Sequence, residues 1–225
     1  HRSALVAVVD EDTTLGAARL NGELDRTIYQ FHHFRDAIAK EKHRRAIDQP
    51  GDPDASPQPR PSLKQMRVPL GPVAVWGASN FPFAFGVLGG DTASALAAGC
   101  PVIAIEQPGH PRTSELLAEL AQGALAKCEA PRGTFTLLAG RATGASLMAD
   151  AQVKAGAFTG SYAGGRALFD IASSRPDPIP FFAEMGSVNP VFLTRQAVRE
   201  RGGEIAQGLG DSPTLGVGQF CTKPG

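Results

Sequence analysis

Cysteine, tryptophan and tyrosine are scarce, with three, one and two of each among 225 residues. Cys100, Cys128 and Cys221 are widely spaced and form no CxxC pair, which argues against a disulfide framework and a zinc-ribbon pattern. No His/Cys/Asp cluster has ligand spacing, so no metal is expected. Three scattered thiols fit a reducing, cytoplasmic setting. Charge of one sign is also missing, since 22 Lys and Arg balance 22 Asp and Glu. That balance gives no basis for binding nucleic acid or an anionic membrane surface. The basic run KEKHRR at 40–45 has acidic neighbours and reads as a solvated helix end. No stretch reaches the roughly 18–20 apolar residues of a membrane span. The opening HRSALVAVVDEDTT turns acidic too soon for a signal peptide. It starts on His rather than Met, so the natural start is expected upstream.

Hydrophobic residues make up 42% of the chain, enough for one large core or two unequal ones. Residues 4–48, rich in Ala, Leu, Glu and Arg, predict two helices broken near Asn21-Gly22. Five prolines in 49–63 predict a loop or extended connector. Beyond it, apolar runs at 72–79, 100–106, 134–140, 153–160, 178–186 and 190–194 read as strands. Helical patterns fall between them at 83–99, 111–128, 144–150 and 164–174. This alternation predicts an α/β fold of parallel βαβ units. Strands without strict polar alternation suit a sheet covered on both faces.

Ligands of such sheets bind at the carboxyl ends of strands, near helix N-termini. Four strand-end loops carry residues of interest. FTGSYAGG (158–165) is a glycine-bearing strand-to-helix turn that could cradle a phosphate, although its spacing is not GxGxxG and an ordinary tight turn fits equally. Glu184 ends an apolar strand, where a carboxylate is costly unless paired or used. Desolvated there it would serve as a general base; held by backbone amides it would be structural. Asn80 in GASNFP is either an oxyanion donor or a turn former. Cys221 in GQFCTKPG is a nucleophile if accessible and stabilised as thiolate, and otherwise a free surface thiol. His110, in a loop between prolines, reads as structural.

Asn80, the glycine turn, Glu184 and Cys221 follow one another as in the aldehyde dehydrogenase superfamily. FTGS with the later glycine pair, AEMGSVNPVF and GQFCTKPG resemble its cofactor-turn, glutamate and cysteine motifs. The wording of PLGPVAVWGASNFPFAFGVLGGDTASALAAGCPV, GGRALFDIASSRPDPIPFFAEMGSVNPVF and PTLGVGQFC is similar to the 2,5-dioxovalerate (α-ketoglutarate semialdehyde) dehydrogenases. The likeness covers about residues 3 to 225 and is strongest from Pro69 onward.

The resemblance implies a three-layer, Rossmann-like NAD(P)-binding domain over 1–185, with the Pro-rich connector at 49–63, and the start of a catalytic domain over 186–225. Cys221 would attack a small aldehyde to give a thiohemiacetal. Asn80 and the Cys221 amide would hold the oxyanion. Hydride would pass to the nicotinamide, and Glu184 would activate water to release the acid from the thioester. The cofactor would lie against Ala78, Ser79, Ile105, Glu106, Phe158, Thr159, Gly160, Ser161, Gly164 and Gly186, with Ser161 near the pyrophosphate. Ile105 replaces a family lysine that contacts the adenosine ribose or its 2′-phosphate. Glu106 beside it could accept from ribose hydroxyls and would repel a phosphate, so NAD is favoured over NADP. Lys223 stands where asparagine is common. Family members are much longer and homo-oligomeric. On this resemblance the chain is expected to be a piece, lacking an N-terminal segment and most of the catalytic domain, and unable to oxidise aldehyde unaided. A non-catalytic nucleotide-binding remnant stays open, as does another thiol acyl enzyme, such as an acylating dehydrogenase that passes the thioester to coenzyme A, against which Glu184 speaks.

Overall fold

The computed structural model describes residues 2–224; His1 and Gly225, the outer ends of the units expected at 1–185 and 186–225, lie outside the described residues. Helices α1 (Arg2–Thr13) and α2 (Ala17–Ala39) open the chain. The break between them is at Thr14–Gly16, where Thr14 and Gly16 adopt positive φ, and not at Asn21-Gly22. Asn21 donates its amide to Ala17 O at 2.8 Å, so its side chain is satisfied inside the helix. The buried face of Leu20, Glu23, Leu24 and Thr27 then runs on without interruption. The proline-rich 49–63 is irregular but folds back on itself: β1 (Ile47–Gln49) and β2 (Leu63–Gln65) flank it and pair antiparallel. It is therefore an excursion closed by a short ladder rather than an extended connector.

Five parallel strands form the main sheet: β3 (Val73–Trp76), β4 (Val102–Ile105), β5 (Phe135–Leu138), β6 (Ala155–Thr159) and β7 (Phe181–Glu184), in the order β5-β4-β3-β6-β7. Between them run α3 (Gly90–Ala97), α4 (Pro111–Lys127), α5 (Arg141–Ala149) and α6 (Tyr162–Ser174). Alternate side chains of a strand point to opposite faces. Val73, Val75, Val102 and Ala104 pack with Leu5, Val9, Leu20 and Leu117 on one side. Ala74 packs with Met148, Val153, Leu168 and Ala172 on the other. Both faces are covered, which is why these strands read as continuous apolar runs. The fold is a three-layer, Rossmann-like α/β sandwich. Chain direction reverses about β3, so the turns after β3 and β6 flank the switch-point crevice where such sheets take ligands.

Two expected elements differ. The helix read over 83–99 forms only as Gly90–Ala97. Residues 81–89 make a buried turn instead: the amides of Phe83 and Ala84 donate to the Glu23 carboxylate, and Gly86 lies so close that a Cβ there would meet Pro82 O at 1.9 Å. The expected strand at 190–194 does not form. β7 is the sheet edge, and Val191, Phe192 and Leu193 stand exposed, with no strand beside them among the described residues. Helix α7 (Arg195–Thr214) follows, bent at Arg201, and a short 3-10 turn at Leu215–Gly218 leads to Cys221. No helix among the described residues is long and apolar enough to cross a membrane.

Candidate active site

Two clefts open at the carboxyl edge of the sheet. The first, about 670 Å³, is lined by the turns after β3 and β6, the end of β7 and residues 218–223. Asn80, Glu184 and Cys221 all line it, as do Ala78 and Gly186. The second, about 690 Å³, is lined by Trp76, Ile105, Glu106, Arg141, Phe158 and Gly164 among others. Ser79, Thr159, Gly160 and Ser161 line both and form the wall between them. Every catalytic and cofactor-contacting residue expected from the sequence thus lies on one cleft or the other.

The wall is built by the glycine turn. Gly160 N donates to Glu184 O at 3.0 Å, in register with the Thr159–Glu184 pair, so the turn and Glu184 are fixed to one another through the sheet. Ser161 caps α6, its Oγ accepting from Gly164 N at 3.3 Å. A Cβ at Gly160 would meet the Phe158 ring at 2.8 Å, so only glycine lets the turn fold over that ring. Ala163 and Gly164, in the first turn of α6, line the second cleft. A helix N-terminus there favours an anionic group such as a phosphate.

Glu184 is exposed, not desolvated as expected. β7 is the edge strand, and Phe182 and Ala183 before it are exposed as well. Its carboxylate nevertheless faces Cys221. Burial pushes the Cys221 thiol up and the Glu184 carboxylate acts in the same direction, against weaker opposition from the residue's own amide and Arg26. The resting group is therefore a thiol rather than the stabilised thiolate sought in the sequence. Its loop is held from behind: Cys221 O accepts from Ser187 Oγ and from Asn189 Nδ2, the latter at 2.7 Å, and Asn189 also reaches Lys223 O at 2.8 Å.

Asn80 is brought beside this loop, but its amide is engaged. Nδ2 donates to Gln219 O at 2.5 Å, so the side chain clips the turn after β3 to the cysteine loop instead of facing the cleft freely. Arg19 of α2 completes the clip. It donates to Asn80 O at 2.5 Å and lies over the touching Phe81 and Phe220 rings, 5.0 and 4.9 Å from their centroids. Glu23, one turn on, is buried and accepts from Phe83 N and Ala84 N at 2.8 and 3.0 Å; burial pushes its carboxyl up. His110 is buried at the start of α4, with Nε2 3.3 Å from Ala78 O, and burial pushes it down.

Ala78 is buried, and its N–H donates to Phe85 O at 2.8 Å. Ile105 is buried at the end of β4, and Glu106 follows, half-buried, with its N–H on Leu138 O at 2.8 Å. Arg141 lines the same cleft and went unremarked in the sequence. Arg19, Glu23, Ser187 and Asn189 were likewise missed. The last two sit inside the EMGSVNP motif, which was the available signal. Among the described residues no group of three or more His, Cys, Asp or Glu could hold a metal ion.

The profile of the aldehyde dehydrogenase family matches residues 1–225. The chain is 50% identical to an alpha-ketoglutaric semialdehyde dehydrogenase 2 from Azospirillum brasilense, over 99% of this chain and 43% of that protein. It is 44% identical to an alpha-ketoglutaric semialdehyde dehydrogenase from Acinetobacter baylyi, over 99% and 42%. The chain thus spans less than half the length of these curated relatives. In structure it is similar to a succinic semialdehyde dehydrogenase from Streptococcus pyogenes solved with NADP+, with a TM-score of 0.80 and 18% identity over 99% of this chain and 45% of that one. From the profile match across its whole length, the chain belongs to the aldehyde dehydrogenase family.

Proposed function

We propose that this chain carries the nucleophile, the water-activating base and the dinucleotide site of an NAD(P)-dependent aldehyde dehydrogenase acting on α-ketoglutarate semialdehyde (2,5-dioxopentanoate). One observation carries the reading: Cys221 and Glu184 face each other in a cleft whose wall, the Gly160 turn, is also the wall of a second cleft of about 690 Å³. The names of the Azospirillum and Acinetobacter relatives support the substrate. Residues 186–225 open the catalytic unit on this reading, and residues before them form the cofactor unit. Three unpaired cysteines suit a reducing cytoplasm.

The second cleft fits a nicotinamide dinucleotide: the Gly160 turn leaves no Cβ in the way, and α6 presents its N-terminus. The Ser161 hydroxyl would donate to the pyrophosphate, with Gly164 leaving room for it beside the helix start, and Glu106 would accept from the ribose hydroxyls. When bound, the nicotinamide supplies the hydride acceptor. Cys221 supplies the attacking sulfur and, once deprotonated, bonds to the aldehyde carbon. Its thiol proton has an acceptor at hand in Glu184. The Cys221 amide, and Asn80 if released from Gln219 O, would donate to the oxyanion. Glu184, exposed enough to pass the thiol proton on to solvent, then takes the proton of the water that frees the acid.

Ile105 offers no charge to a 2′-phosphate, and Glu106 repels one, while the exposed Arg141 guanidinium is solvated. NAD is therefore the favoured cofactor. The single tryptophan, Trp76, lines this cleft and reports on it. Titration of NAD and NADP, followed by its fluorescence, is expected to saturate with NAD at lower concentration. Tighter NADP binding would overturn the preference, and no response to either would overturn the site.

A nucleotide-binding module with an idle cysteine is the competing reading. The upward-shifted thiol and the engaged Asn80 amide favour it. Protection of Cys221 by aldehyde separates the two.

A further inference from the structure

Arg19, Glu23 and Arg26 lie at i, i+4 and i+7 on α2 and form one polar stripe along the 80–85 turn. The first two are engaged: Arg19 on Asn80 O and two rings, Glu23 on two backbone amides. Arg26 is different. Its exposed guanidinium makes no hydrogen bond or ion pair among the described residues and lies 4.9 Å from the centroid of Phe85. From there an aromatic strip leads to the nucleophile. Phe85 meets Phe81 edge-on at 5.5 Å, Phe81 meets Phe220 at 5.2 Å, and Phe220 precedes Cys221.

An unpaired cation at one end of an apolar strip, and a thiol at the other, suit a short carbon chain with an anion at one end and an aldehyde at the other. Glu184 lies against the thiol, so an anionic tail is repelled there and drawn toward Arg26. The field of Arg26 reaches the Cys221 sulfur, where it favours the thiolate. Arginine is also well shaped to bind such an anion, because its planar fork matches a carboxylate bidentately while its flat face stays on the aromatic ring.

We propose that Arg26 is a specificity-determining residue, whose guanidinium receives the carboxylate of an oxo-acid semialdehyde while the aldehyde carbon reaches Cys221. This rests on Cys221 being the nucleophile, and it adds the basis on which a keto-acid aldehyde is told from a neutral one.

Alkylation tests it without turnover or cofactor. Iodoacetate carries the anion and iodoacetamide is its neutral counterpart; peptide mass spectrometry reads Cys221 against the exposed Cys128 in the same sample. The iodoacetate-to-iodoacetamide rate ratio at Cys221, divided by that at Cys128, is expected to fall about three- to tenfold in Arg26→Met and less in Arg26→Lys. Taking the ratio cancels any change in thiolate fraction. An unchanged ratio in Arg26→Met, with the circular dichroism of the native chain retained, overturns the proposal. Protection of Cys221 against iodoacetamide by 2,5-dioxopentanoate and by pentanal is the second arm. Stronger protection by the keto acid, lost in Arg26→Met, supports the assignment. Equal protection by both overturns Arg26 and leaves Cys221 as nucleophile; protection by neither removes the nucleophile and the proposal together.

Discussion

Replacing Arg19 by methionine keeps an unbranched stem against Phe81 and Phe220 and removes the guanidinium. The structure sets the magnitude. A hydrogen bond from a charged donor to Asn80 O contributes about 1.5–3 kcal/mol. Two cation–π contacts add roughly 0.5–1 kcal/mol each at a partly exposed site. Methionine sulfur against the same rings restores about 0.5–1 kcal/mol. The net loss is about 2–4 kcal/mol. For a chain of this size that lowers Tm by roughly 4–16 °C, at 2–4 °C per kcal/mol. Urea unfolding followed by circular dichroism gives the first number. The second readout is local: Arg19 joins α2 to Phe220, so its loss loosens the cysteine loop, and iodoacetamide reaches Cys221 faster while Cys128 is unaffected. A double-mutant cycle with Phe220→Leu is expected to show coupling of about 0.5–1 kcal/mol. A stability loss below about 0.5 kcal/mol together with unchanged Cys221 reactivity would refute the clip.

Gly165→Ala places a Cβ 2.4 Å from Met185 Cγ and is expected to cost about 1–3 kcal/mol in urea unfolding, with Met185→Ala recovering part of it. No recovery in the double variant contradicts the clash. His110 is held below its ordinary value of 6.5 by burial, so the unfolded chain binds more protons than the folded one as pH drops. Its stabilising contribution is full above pH 6.5 and is lost as pH falls toward the depressed folded value. The stability difference between about pH 7.5 and 5.5 should therefore shrink in His110→Gln, and an unchanged difference contradicts this. Glu184→Gln removes the carboxylate that raises the Cys221 thiol, so alkylation of Cys221 by iodoacetamide at neutral pH should accelerate; a slower rate contradicts the charge argument.

The five-stranded sheet was legible because both of its faces are covered: Val73–Trp76 and Val102–Ile105 read as uninterrupted apolar runs between helical spacings. Local rules failed where a distant partner decided the outcome. Asn21-Gly22 looked like a break, yet the buried stripe of α2 against the sheet carries the helix through it. Residues 83–89 looked helical, yet Glu23, 60 and 61 residues upstream, binds the amides of Phe83 and Ala84 and holds a turn. Residues 190–194 had strand composition but pair with no strand among the described residues. The site divides the same way. Asn80, Gly160, Glu184 and Cys221 sit at strand ends or in loops whose residue types advertise chemistry. Arg19, Glu23 and Arg26 lie on an ordinary-looking helix, and their roles exist only once α2 packs along the 80–85 turn. The sequence also placed Glu184 in a dry strand, because nothing in it marks β7 as the sheet edge.

The central claim is that the sulfur of Cys221 bonds to an aldehyde carbon. Its most direct test is iodoacetamide labelling of all three cysteines with and without 2,5-dioxopentanoate, read peptide by peptide. Selective protection of Cys221, with Cys128 labelled at the same rate throughout, is the predicted result; Cys221 labelled equally with and without the aldehyde contradicts the account.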